Sequence, residues 1–298
     1  MKKVTALILI LTITLTLFSG CGSKGSNNNN GNSGTKPSTA DSTSSAGNDS
    51  KTSGGSDSSQ PKEVPGAELS TFMGNYVDTK TKIWDVMTEK LEQDQNGAFT
   101  FGALAFVFAD LSIIEIGLFD TLITKEGDLF KGKLMLSGIE AWKRVKGDII
   151  EFGYDYTNPE DKNQTKKGDK EISNGKFDKK TGTLVYERST ERNGSKISRY
   201  VVEITRNSDK SYSSQIYSIE TDQSSNNDEK TLNCYCTWFE GENIISIIAG
   251  KGGSNYDFKY ESIFGKKNMK PKDMTKGMDV KSIVSFIDGK ASYEEVGK

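Results

Sequence analysis

Ile149-Ile150-Glu151-Phe152-Gly153-Tyr154-Asp155-Tyr156 decides how the folded part of this chain is built. Ile150, Phe152, Tyr154 and Tyr156 share one side of an extended backbone, with Glu151 and Asp155 on the other. Successive strand residues point to opposite faces, so this alternation marks a strand with one face buried. The pattern recurs downstream. Tyr200, Val202 and Ile204 alternate with Arg199, Val201 and Glu203, and Leu232, Cys234, Cys236 and Trp238 alternate with Asn233, Tyr235, Thr237 and Phe239. Turn residues separate these runs: Asp178-Lys179-Lys180-Thr181-Gly182, Asn193-Gly194 and Asn207-Ser208-Asp209. Asn-Gly between alternating runs is a strong hairpin signal, because both residues tolerate the positive φ of a tight turn. From Leu129 onward the sequence therefore predicts an antiparallel meander. Gly250 to Asn255 reads as a further hairpin loop.

Upstream the period changes. Leu69, Phe72, Met73, Tyr76, Ile83, Trp84, Met87 and Leu91 recur at three- and four-residue steps, which predicts a helix over 69–91. Asp94-Gln95-Asn96-Gly97 supplies a stop. Residues 98–123 are the most apolar part of the domain, but Asp110, Glu115 and Asp120 interrupt them. Charge at mid-membrane depth is costly, so a buried helix, or a helix followed by a strand, is expected there. Val280, Ile283, Val284 and Ile287 are in helical step, and a last amphipathic helix is expected near 279–288. The expected fold class is α+β: one large curved antiparallel sheet with N-terminal helices packed on it.

The N-terminus is of a different character. Lys2 and Lys3 precede an apolar run from Val4 to Leu17, and Ser19 and Gly20 lead to Cys21. That is the layout of a secretory signal peptide. Val4 to Phe18 is shorter than the roughly 20 residues that span a bilayer. Leu17-Phe18-Ser19-Gly20-Cys21 resembles a bacterial lipobox, with Phe18 where that pattern usually has Leu. The resemblance implies a signal peptide over 1–20, a diacylglyceryl thioether on Cys21 and anchoring at the outer face of the cell membrane. Two acyl chains hold a protein stably where one does so only marginally.

Residues 22–65 are almost wholly Ser, Gly, Asn, Thr, Asp and Lys, with Ala40, Ala46 and Val64 as their only apolar side chains. Such a segment buries too little surface to offset its ordering entropy. It is expected to act, with Cys21, as a disordered tether over 21–65, spanning about 35–40 Å as a flexible coil. A single α+β domain is expected over 66–298. The curved-sheet pattern over 129–262 resembles the half-barrel lipoproteins of bacterial envelopes, the LolA-like and LppX-like carriers, in which a sheet and covering helices enclose a lipid-sized cavity.

Charge and chemistry narrow the function. Lys2 and Lys3 are the only charged side chains before Cys21, so the chain beyond residue 20 carries 37 basic and 41 acidic side chains, a net charge of −4. That balance argues against a nucleic-acid partner and suits a membrane-tethered protein facing a cell-wall or envelope component. The chain has no histidine, which excludes Ser-His-Asp and Cys-His catalysis and histidine metal ligation. Asp110, Glu115 and Asp120 are carboxylate candidates, but five-residue helical steps turn each about 140° from the last. Cys234 and Cys236 lie on one side of a strand, at the outer edge of disulfide reach, and make a poor zinc site alone. No cofactor motif is present. Residues 161–171 lack the ligand pattern of a calcium loop.

Three functions are compatible with these features. The first is a non-enzymatic binding lipoprotein for a lipid, glycan or peptide, with Tyr154, Tyr156, Tyr200 and Trp238 as candidate binding residues. The second is a structural or interaction lipoprotein with an exposed apolar patch. The third is a carboxylate-based hydrolase. The missing histidine points towards binding.

Overall fold

The computed structural model describes residues 67–91, 112–161, 165–208, 211–221, 230–253 and 255–296. The expected signal peptide and tether, Asp94 to Gly97, and residues 98–111 with Asp110 lie outside these. The expected 69–91 helix is present as α1 (Ala67–Leu91). A short helix α2 (Ser112–Gly117) and a 3-10 turn (Leu118–Thr121) follow. Among the described residues, no helix is long and apolar enough to cross a membrane.

Twelve strands then form one antiparallel sheet in strict sequence order. They are β1 (Thr124–Glu126), β2 (Leu129–Lys133), β3 (Glu140–Lys146), β4 (Ile149–Thr157), β5 (Lys170–Asp178) and β6 (Thr183–Arg192). After them come β7 (Ser195–Ser208), β8 (Ser211–Thr221), β9 (Lys230–Glu240), β10 (Asn243–Gly252), β11 (Asp279–Ile287) and β12 (Lys290–Glu295). The large antiparallel sheet expected from the alternating runs is therefore observed.

Two expectations are corrected. Residues 279–287 form strand β11, not a helix, and pair with β10 and β12. The helical spacing of Val280, Ile283, Val284 and Ile287 is incidental. Val284 and Phe286 are fully buried on one side while Ile283 is partly buried on the other, so the strand is apolar on both faces. Strands covered on both faces lose their alternation. Likewise, Gly250 to Asn255 does not close a hairpin. Strand β10 runs through Gly252, and the chain then makes an excursion over 253–278, including the short helix α3 (Pro271–Met274), before β11 returns.

Both faces of the sheet are covered. On one, Ile150, Phe152, Phe177, Leu184, Tyr186, Val202, Ile204, Tyr212 and Phe239 join the buried residues of α1, α2 and the 3-10 turn in one cluster. Phe72 of α1 lies 4.8 Å from Phe177, and Tyr76 lies 5.3 Å from Phe239, so α1 crosses from β5 to β9. The Tyr76 hydroxyl donates to Ser214 Oγ at 3.0 Å. Glycine makes the closest approach possible: a Cβ on Gly175 would stand 2.1 Å from the Phe152 ring. On the other face, Val201, Tyr217, Ile219, Leu232, Cys234, Cys236, Ile247 and Ala249 pack under Tyr256, Ile263 and Met274 of the excursion.

Candidate functional site

Strand register gathers polar side chains on the helix-covered face. Tyr154 of β4, Ser173 of β5, Arg188 of β6 and Tyr200 of β7 form one cross-strand row. Tyr156 and Glu171 sit opposite one another two residues along. Helix α2 adds Glu115, whose Oε2 is 3.9 Å from Arg188 Nη1. Tyr154 is buried; its hydroxyl donates to Glu171 Oε1 at 2.6 Å, and Ser173 Oγ accepts from its backbone N–H at 3.0 Å. The Arg188 guanidinium lies 5.7 Å from the centre of the Tyr200 ring. Tyr186, one inward-facing position from Arg188, is 1 % exposed, with its hydroxyl close to Tyr154 and Ser173.

The electrostatics follow from burial. Desolvation raises the Glu115 carboxyl above its usual range, with Arg188 opposing and Glu171 adding to the rise. Burial pushes the Tyr186 phenol up to about 12 and raises Tyr154 as well. For Arg188 burial pulls downward, but Glu171, Tyr154, Tyr186 and Glu115 outweigh it and fix the positive charge. The cluster thus combines two carboxyl groups, a permanent cation, two buried phenols and half-buried rings at Tyr156 and Tyr200. It offers donors, acceptors and a stacking surface together. Polar groups of this kind beside aromatic rings are what a hydroxyl-rich ligand requires.

Of the residues chosen from sequence, Tyr154, Tyr156 and Tyr200 come together here. Trp238 does not: it lies on the opposite face, with Lys270 Nζ 3.3 Å from the centre of its ring. Glu115 belongs to the cluster, whereas Asp120 is occupied elsewhere. Asp120 Oδ2 accepts from the Ser70 N–H at 2.6 Å in the first turn of α1, and Oδ1 is 3.5 Å from buried Lys143 Nζ. Sequence reasoning missed Glu171, Arg188 and Tyr186. The usable signal was the alternation of Leu184, Tyr186 and Arg188 along β6, which places a cation on an otherwise inward-facing row.

On the opposite face the excursion is pinned by polar contacts. Glu203 is 1 % exposed; its Oε2 accepts from Gln215 Nε2 at 2.5 Å and from the Ile263 N–H at 2.8 Å, and its Oε1 accepts from Ser262 Oγ at 2.5 Å. Arg199 forms a bidentate pair with Glu187 and donates to the carbonyls of Tyr256 and Phe258. An open cleft of about 410 Å³ beside Arg199 is bordered by Lys196, Asp257 and Tyr260. These bonds use four of the five guanidinium N–H groups, so this cleft holds no spare bidentate donor on Arg199. Cys234 and Cys236 are buried free thiols with Sγ atoms 3.3 Å apart, and the contact between them together with burial pushes the Cys236 thiol up. A buried thiol with a raised pKa is chemically quiet. Among the described residues, no three His, Cys, Asp or Glu side chains are grouped to hold a metal ion.

No known family matches this chain, and neither a curated protein nor a solved structure is detectably similar to it.

Proposed function

We propose that this chain is a membrane-tethered extracytoplasmic lipoprotein of binding type, lipidated at Cys21, whose helix-side cluster takes a glycan. In this reading residues 1–20 are removed, residues 21–65 carry the anchor and spacer, and a curved sheet with N-terminal helices packed on it presents the ligand site. The observation that carries the ligand assignment is the cross-strand gathering of Arg188, Glu171 and Glu115 beside the partly exposed rings of Tyr156 and Tyr200. The half-buried rings of Tyr156 and Tyr200 supply a stacking surface. Charged and hydrogen-bonding groups in the row favour a sugar over an acyl chain. Titration calorimetry of the purified chain against cell-wall oligosaccharides tests this. Saturable binding weakened about tenfold or more by Arg188→Ala and by Tyr200→Ala supports it; heat signals no larger than dilution across the panel refute it.

One observation favours a second reading, an interaction lipoprotein. Met135 and Leu136 at the β2–β3 turn are 73 % and 72 % exposed, and Ile123 ahead of β1 is 65 % exposed. Photo-crosslinking from position 136 in cells would give a discrete partner band under this reading and none under the first.

A further inference from the structure

The turns of the sheet fall at two ends, and the end where α1 begins carries a corner of positive charge. Glu68, in the first turn of α1, is 3.1 Å from Lys179 in the β5–β6 turn. The chain preceding α1 therefore joins the domain at this corner. Three cations crowd the same turn. Lys180 lies within it and is exposed. The Arg206 guanidinium covers Gly182, with Nη2 3.7 Å from where a Cβ would stand. Lys267, from the excursion, donates to the carbonyls of Thr181 and Arg206, which holds its ammonium against the turn. Burial and the nearby Arg206 charge lower Lys267, as expected of cations held together.

Among the described residues, two carboxylates stand near these cations without an ion pair of their own: Asp178, held ionised by backbone N–H bonds, and the exposed Asp148 of the β3–β4 turn, whose carbonyl accepts from the Lys179 N–H. Asp178 Oδ1 accepts the N–H groups of Lys180 and Thr181 at 2.9 and 3.1 Å. Glu68 pairs with Lys179, and Glu261 with Lys266. Among the described residues, neither Lys180 nor Arg206 makes an ion pair. The chain beyond residue 20 has a net charge of −4, so this corner runs against the overall charge.

We propose that the corner formed by Lys180, Arg206 and Lys267 docks on the anionic headgroups of the bilayer to which the chain is tethered, fixing which end of the domain faces the membrane. This rests on the anchored-lipoprotein reading above. It follows from three cations at one turn, the junction with the preceding chain beside them, and the attraction of basic clusters to anionic lipid surfaces. The Tyr154–Arg188–Tyr200 row lies towards the other end of the strands, nearer the β6–β7 turn at Asn193-Gly194. Docking would leave the glycan site facing outward.

The test uses the full chain expressed in a lipoprotein-processing bacterial host, with its lipidation read independently from the intact mass. Hydrogen exchange is followed at 178–182 and 265–268 on phosphatidylcholine vesicles with and without phosphatidylglycerol. Docking predicts exchange about tenfold slower on the phosphatidylglycerol vesicles, relieved by about 1 M salt and by Lys180→Glu. Lys180→Gln, which removes charge without reversing it, gives an intermediate effect and guards against a folding artefact. Equal exchange on both vesicle types overturns the proposal even when the mass shows lipid on Cys21. Equal protection by soluble inorganic phosphate also overturns it, by showing a phosphate site and not a surface. A mass without lipid instead sinks the anchor and leaves docking to be decided by whether the unlipidated chain sediments with the phosphatidylglycerol vesicles.

Discussion

The two faces of the sheet are held by different chemistry. On the helix-covered face the contacts are large rings: Phe72, Tyr76, Phe177, Tyr212 and Phe239 form one group and Phe119 and Phe152 another, with neighbouring ring centres 4.6–5.5 Å apart. Under the 253–278 excursion one close ring pair occurs, Tyr217 and Tyr260 with centres 4.5 Å apart, but Val, Ile, Leu, Cys and Ala make up most of the sheet's side and buried polar groups fix the fit. Glu203, Gln215 and Thr205 each bond to backbone or side chains of residues 261–263. Ring packing draws on buried area and tolerates small shifts, whereas a hydrogen-bonded pin works only in one position. The helix-covered face should thus govern whether the domain folds, and the opposite face whether the excursion stays down.

The largest expected effect breaks the first half of that contrast. Phe152→Ala removes a fully buried ring packed on Phe119 and Tyr186 and should cost about 3–5 kcal/mol, read as a lower midpoint in urea for the whole chain. A loss below about 1 kcal/mol would mean that this core is not the stabilising one. Glu203→Gln breaks the second half. It replaces one accepting carboxylate oxygen by an NH2 donor that faces the donors of Gln215, Ile263 or Ser262, and should cost about 1–3 kcal/mol. It should also speed alkylation of Cys234 and Cys236 in native buffer at least as much as it lowers the unfolding midpoint warrants. Unchanged thiol protection would show that the excursion does not depend on this carboxylate.

The smallest effect sharpens the comparison at the candidate site. Burial raises the Glu115 carboxyl, so the folded state favours its protonated form. Its contribution is fully present below the unfolded carboxyl value near 4.5 and is lost as pH rises through the raised folded value. The wild-type melting temperature should therefore gain more than that of Glu115→Gln on acidification towards pH 4.5. Parallel pH profiles for the two proteins would remove Glu115 from the buried cluster.

Much of the sheet was legible because one-sided burial imposes alternation, as at Ile150, Phe152 and Tyr154. Alternation faded where both faces are covered, and β11 was misread for that reason. The excursion was invisible for a related cause: nothing local in Gly250 to Asn255 shows that the partner strand arrives only at Asp279. Three of the four aromatic candidates converged, since period two assigns a residue to a face. Trp238 fell on the other side because period two does not say which face of one strand continues into the next. That is set by register, and Trp238 aligns with Ser213 and Ile245 and not with the Tyr200 row. Glu171 and Arg188 could not be singled out among so many charged residues until register placed them beside Tyr154 and Glu115.

Strict sequence order in the sheet has a kinetic consequence. Each strand pairs with its neighbour in the chain, and most connections are short turns, so most of the ladder can zip hairpin by hairpin with little loop entropy to overcome. The β10–β11 pairing is a clear exception, because residues 253–278 intervene. Chain closure there should lag behind the adjacent hairpins during refolding. Until it occurs, the β10 edge stands open, and that interval is when the nascent domain is most exposed to pairing with another copy of itself.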